Sequence, residues 1–129
     1  MKFTGVITVY NTVEVNFKKL LLPKLLSGVH IEARKGAEKA AEGDKNTDEL
    51  LIIIPFNPHK NGFLKPFEYE ACEDKSGIWT LAAGDVIAIG DTGAAENFEE
   101  LTARAETFRV QTVKTFDFGS LQHWEVTAK

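Results

Sequence analysis

The stretch VITVYNTVEVNFK, residues 6–18, decides the class of fold. Successive side chains of an extended chain point to opposite faces, so Val13, Val15 and Phe17 share one side while Glu14, Asn16 and Lys18 share the other. Residues 6–10 form a β-branched run ahead of them, and Asn11 between the two reads as a turn. The same period returns at Val29, Ile31 and Ala33, set against His30, Glu32 and Arg34, beyond a bend expected at Leu26, Ser27 and Gly28. Pro23 cannot donate to a ladder and belongs at an edge or a bulge. Residues 49–55 (ELLIIIP) are nearly continuous Leu and Ile, the mark of a strand covered on both faces.

Two segments break the pattern. Residues 35–48 (KGAEKAAEGDKNTD) hold small and charged residues and no large apolar anchor, so they read as a polar loop or a frayed helical turn. Residues 56–67 (FNPHKNGFLKPF) carry the proline, asparagine and glycine chemistry of a second loop. Residues 68–74 then read as a short strand, followed by a turn at 75–77 before Ile78 and Trp79. Turns at 83–85 and 90–93 bracket a strand over 86–89. One helix is expected, capped by Asn97, with Phe98, Leu101 and Ala105 at helical spacing and Glu99 and Glu100 in its first turn. The C-terminal part reads as a hairpin, with Phe108, Val110 and Thr112 on one face, a turn over 116–120, and Trp124, Val126 and Ala128 returning. The expectation is a mainly β single domain over residues 1–129, a small barrel or sandwich with one short helix and two long polar loops. Trp79, Phe108, Trp124 and Val126 are its candidate core anchors.

Composition bounds the chemistry. The chain has 129 residues, 43% of them hydrophobic, and a domain of that size buries roughly two-thirds of the surface its unfolded chain exposes. Cys72 is its one cysteine, so no disulfide can form within the chain, which fits a reducing compartment. The N-terminal residues lack the apolar core and cleavage site of a signal peptide, and the longest apolar run is far shorter than the ~20 residues that cross a bilayer. The formal net charge is −4, against a free-standing nucleic-acid binder. Residues 1–65 carry ten Lys and Arg against seven Asp and Glu, and residues 66–129 five against twelve. That asymmetry keeps the chain soluble, or orients copies and partners head to tail.

No catalytic constellation is legible. His30, His59 and His123 have no His or Cys partner at ligand spacing. Cys72 stands among Glu70, Glu73 and Asp74 with no basic partner to activate a thiol. GDVIAIGDTG, residues 84–93, lacks the Lys-Ser/Thr end of a phosphate loop. Glu99 and Glu100 are adjacent on a helix and point apart, a poor acid–base pair. The expectation is a protein that is not an enzyme, holds no metal or cofactor, and acts by contact with other proteins.

Five segments carry a family resemblance: ITVYN (7–11), SGVHIE (27–32), ELLIIIP (49–55), GDVIAIGD (84–91) and FRVQTVKTFDFGSLQHWEV (108–126). Together they resemble small phage and prophage proteins of Gram-positive bacteria encoded in the head–tail connection module. The last segment is the most telling, since a Val-x-x-Val strand, a Gly-Ser turn and a closing His-Trp-x-Val strand recur in that family. The family's turn is rich in Asn and Arg, whereas Phe116, Asp117 and Phe118 stand here and remove its positive charge. The resemblance implies a neck component of head-closure (stopper) type, a small β-barrel made in the host cytoplasm and residing in the virion. It implies a chain that is monomeric alone and forms a ring on the portal and its adaptor, with tail proteins as further partners and incidental contact with channel DNA. The candidate partner or channel loops are first residues 35–48, with Lys35, Lys39, Asp44, Lys45 and Asp48. Next come residues 56–67, with Asn57, His59, Lys60 and Asn61.

Other readings remain open at this point. A tail-completion or tail-terminator protein shares the gene neighbourhood and the ring habit. A ligand-binding or carbohydrate-binding β-barrel would present Trp79, Trp124 and nearby phenylalanines to a small molecule. An enzyme of another kind would require a deep pocket with convergent polar groups.

Overall fold

The computed structural model describes residues 1–34 and 49–129. The elements run β1 (Gly5–Val15), β2 (Lys18–Arg34), β3 (Glu49–Pro55), α1 (Phe56–His59), α2 (Pro66–Ala71), β4 (Val86–Ile89), α3 (Phe98–Arg104), β5 (Thr107–Phe116) and β6 (His123–Ala128). Six strands close into a barrel in the order β1-β2-β3-β6-β5-β4, with every neighbouring pair antiparallel. The mainly β, small-barrel expectation is met. Closure gives every strand a neighbour on both sides, which limits the free edge that could recruit another chain.

The N-terminal hairpin departs from the expectation. Asn11 makes no turn; it stays in the ladder opposite Leu22, and β1 continues to Val15. The Asn11 side chain is buried and bonds across the barrel mouth: Nδ2 donates to the Thr80 carbonyl at 2.7 Å, and Oδ1 accepts from the Thr80 N–H at 3.0 Å. Those long-range bonds replace the local ones a turn would have used. The chain reverses instead at Asn16 and Phe17, with φ of 53° and 64°. The bend expected around residues 26–28 is a β-bulge. Gly5 pairs with Val29 and Val6 with Ser27, leaving Gly28 as the extra residue at φ 69°. Past the bulge β2 pairs with β3, from His30 opposite Ile53 to Arg34 opposite Glu49. A single 17-residue strand thereby turns the barrel's corner.

The interior is filled by Ile7, Val9, Leu26, Val29, Leu50, Ile52, Ile54, Ile87, Val110 and Val126. β3 is buried on both faces as its composition predicted, with Leu51 8% and Ile53 6% exposed on the side opposite Ile52. Four rings, Phe56, Phe63, Trp79 and Trp124, pack together at centroid separations of 4.4 to 5.5 Å. A second bulge, between Val110 and Thr112 of β5, inverts the expected face. Thr112 is exposed, and Val113 packs on the core in its place.

Three helices form where one was expected. α3 is the expected one: Asn97 Oδ1 accepts from the Glu100 N–H at 2.8 Å, and Leu101 packs with Tyr10, Val86 and Ala88 in a second cluster. α1 is a single turn within the expected loop, interrupted by the extended Asn57 and a cis bond to Pro58. α2 replaces the strand expected over 68–74. Pro66 opens it, and the Glu68 carboxylate accepts from the Lys65 N–H at 3.1 Å, closing the first turn.

Candidate interaction site

The β1–β2 hairpin outruns the barrel. β4 covers β1 only from Ile7 to Tyr10, while the β1–β2 ladder continues five pairs further, from Asn11 opposite Leu22 to Val15 opposite Lys18. At the tip, Phe17 is 100% and Val15 50% exposed. A two-residue reversal with positive φ at both central positions is the hairpin geometry that favours Asn followed by Gly. Asn16 suits it, whereas Phe17 stands at φ 64° where a Cβ is unfavourable. An aromatic side chain thus occupies a strained backbone position and contributes no burial to its own fold.

Beside the hairpin stem lies a groove of about 600 Å³. Its walls are Val13, Glu14, Lys19 and Leu21 of the hairpin, Pro66, Tyr69 and Glu70 of α2, and Phe98 of α3. Asp85 is 5% exposed at its base. Its carboxylate accepts from Asn11 Nδ2 at 2.9 Å, the Thr12 N–H at 3.2 Å and the Ala82 N–H at 3.3 Å. Burial pushes the carboxyl above its ordinary pKa, and these hydrogen bonds pull against the rise. The three donors make Asp85 a tie between β1 and the turn that leads into β4. Tyr69 and Thr80 also line the groove, each 3% exposed, and neither hydroxyl has a hydrogen-bond partner. Burial, then the negative charge of Asp85, pushes the Tyr69 phenol up. Lys75 is folded beneath α2, its Nζ donating to the carbonyls of Tyr69 and Cys72 and lying 4.5 Å from the Tyr69 ring centre. Arg109 stacks on Phe98 at 4.3 Å and donates to the Gly84 carbonyl at 3.1 Å.

A family model matches residues 3–129, nearly the whole barrel. The chain belongs to DUF6751, a family of unknown function. No curated protein and no solved structure matches it. For this DUF6751 chain, the reading therefore rests on its residues.

The residues singled out in sequence fall in separate places. Lys35, Lys39, Asp44, Lys45 and Asp48 lie outside the described residues. Asn57, Lys60 and Asn61 are exposed, and His59 Nε2 is 2.6 Å from the Ser27 carbonyl, which ties α1 to the β2 bulge. Lys60 Nζ lies 4.9 Å from the centre of the Phe56 ring. These residues line none of the groove. Trp79 and Trp124 are each 1% exposed, so neither offers a face to a sugar, and Val126 is fully buried with Phe108 packed partly against the core. Among the described residues no group of three or more His, Cys, Asp or Glu is placed to hold a metal. None of their helices is long and apolar enough to cross a membrane.

Sequence reasoning missed the tip and the groove. It grouped Phe17 with Val13 and Val15 on a half-buried face, and the structure corrects this: Val13 is half-buried, and Val15 and Phe17 are exposed. A signal for the tip was present, since Asn16 before a non-glycine within alternating residues marks a tight reversal with an awkward occupant. For the groove there was none, because its walls come from the hairpin, α2 and α3, which are far apart in sequence.

Proposed function

We propose that the protein is a structural component of a tailed phage or prophage, joining head to tail as a head-closure (stopper) protein that assembles as a ring on the portal and its adaptor. The observation that carries its contact role is Phe17, fully exposed at the end of a projecting hairpin and held at a backbone position that disfavours it. Strain retained without any gain to the fold is expected at functional positions. A closed barrel supports the same reading, since a ring subunit must not aggregate edge to edge before it meets its site. Assignment to the head–tail joint rests on the resemblance of the five segments. The most telling of them forms the β5–β6 hairpin, whose connection exposes Phe118 and Leu121.

Electron microscopy of lysates from a phage or induced prophage lacking the gene tests this. Free tails beside emptied heads are expected, because an unsealed portal leaks its genome. DNA-filled heads without tails would move the protein to the tail side of the joint, as a tail-completion or terminator protein. Normal infectious particles would overturn the assignment.

A further inference from the structure

Two exposed surfaces of this chain are chemical complements. At the hairpin tip, the exposed Val15 and Phe17 are followed by Lys18 and Lys19, both exposed. On α2 and its exit, Phe67 is 70% exposed and stands with Glu68, Glu70, Glu73 and Asp74, all of them exposed. Lys75, the nearby base, is turned onto main-chain carbonyls and the Tyr69 ring, so it does not balance these carboxylates at the surface. None of the two lysines or four carboxylates is ion-paired with another described residue. Between α2 and the hairpin stem the groove opens, with the apolar Val13, Leu21 and Pro66 in its walls.

We propose that the β1–β2 tip of one copy docks on α2 and the adjoining groove of a second copy, head to tail, which rests on the ring reading above. Phe17 packs against Phe67 and the apolar groove wall, and Lys18 faces Glu70 and Glu73. Phe17 does not cover its own α2, although Lys19 lines the same groove as Glu70. The ladder is continuous up to Val15 and Lys18, and Phe17 is fully exposed at its end. A contact between two different surfaces of identical copies is heterologous, and it propagates until a rotation closes the ring. Charge at its rim steers the approach and weakens with salt. An isolated chain therefore stays monomeric at ordinary concentrations, while copies gathered on a common platform join.

The test places the photoreactive amino acid p-benzoylphenylalanine at position 17 of the full chain. This chain is mixed with an isotopically labelled wild-type copy at low salt and irradiated, and the cross-linked peptides are mapped by mass spectrometry. Cross-links between labelled and unlabelled copies within residues 66–75 or 12–21 are expected. Glu70→Lys with Glu73→Lys in the labelled copy should reduce them at least tenfold, and Lys18→Glu in the probe chain should restore them. Circular dichroism of each variant checks that the barrel is retained. Intermolecular cross-links that map elsewhere, survive the charge reversal, or fail to form both in solution and in assembled particles would overturn the docking. Its failure is separable from that of the neck reading: a gene deletion that empties heads while position 17 cross-links elsewhere removes only the docking. Normal particles with the expected cross-links remove only the neck.

Discussion

Replacing Trp124 with alanine perturbs the barrel where most depends on one side chain. Trp124 is 1% exposed and touches three other rings: Phe56 and Phe63 at 4.4 Å between centroids, and Trp79 at 5.5 Å. Truncating a buried Trp costs roughly 3–5 kcal/mol through lost transfer free energy and the cavity left behind. Aromatic pairs add about 0.5–1.5 kcal/mol each beyond area burial, so with three partners the expectation lies near the top of that range. Compensating collapse is restricted. Phe56 is anchored by its N–H to the Gln122 carbonyl at 2.9 Å, and Trp79 by its N–H to the Gly62 carbonyl at 3.0 Å. Against a total stability of about 5–15 kcal/mol, a third or more is removed. Urea unfolding followed by far-UV circular dichroism should show the midpoint falling by about 2 M at unchanged slope. Phe118→Ala, at a ring 69% exposed, is the control and should shift stability by less than about 0.5 kcal/mol. A loss below about 1 kcal/mol at Trp124 would refute the reasoning, since it would mean that the four-ring cluster does not carry the barrel.

Three further outcomes follow from local geometry. Phe17→Gly should stabilise the isolated domain by about 0.5–1 kcal/mol in the same unfolding assay, because glycine accepts the positive φ and no packing is lost; destabilisation would mean the ring has a partner within its own fold. Gly62→Ala should cost about 1–3 kcal/mol, since φ is +82° and the new Cβ would collide with the Gly77 carbonyl; a neutral thermal melt would contradict the backbone described. Asp85→Asn should cost roughly 1–3 kcal/mol at acid pH, because an amide N–H₂ would face the donors that now point at the carboxyl oxygens. The pH dependence supplies a sign. Burial raises the folded carboxyl's pKa above its unfolded value of 3.8, so its contribution to stability is present below that value and is lost as pH rises through the folded one. The stability gap between wild type and Asp85→Asn should therefore be widest at acid pH and narrow upward from about pH 4. A gap that widens with pH would show that the hydrogen bonds outweigh burial.

Local chemistry made part of this molecule legible from its residues. α3 was readable because Asn97, Glu99, Glu100 and the Phe98–Leu101 spacing act within one another's reach, and its cap bond forms as that pattern implies. The α2 signal was present as well, in Lys65-Pro66-Phe67-Glu68, but the apolar and acidic alternation over 68–74 masked it. Asn11 misled for a stated reason: asparagine favours turns when it bonds to its own neighbours, and here it bonds to Thr80, sixty-nine residues away. Neither groove nor tip follows from alternation, since one needs two distant segments apposed and the other a count of how far β1 outlasts β4.

Alternation and turn chemistry by themselves determined that the chain is a β-rich domain, that β3 is covered on both faces, and that β5 and β6 form a hairpin ending in buried Trp124 and Val126. They could do so because side-chain direction along a strand is a local property with a fixed period of two. Only the tertiary structure decided the strand order, the closure of β4 on β1, and which side of Thr112 faces in. Those depend on register, and one bulge at Gly28 or Gln111 moves every later side chain to the other face at little local cost. Phe17 is the clearest case: its apolar character placed it inside, and the length of a ladder placed it in solvent.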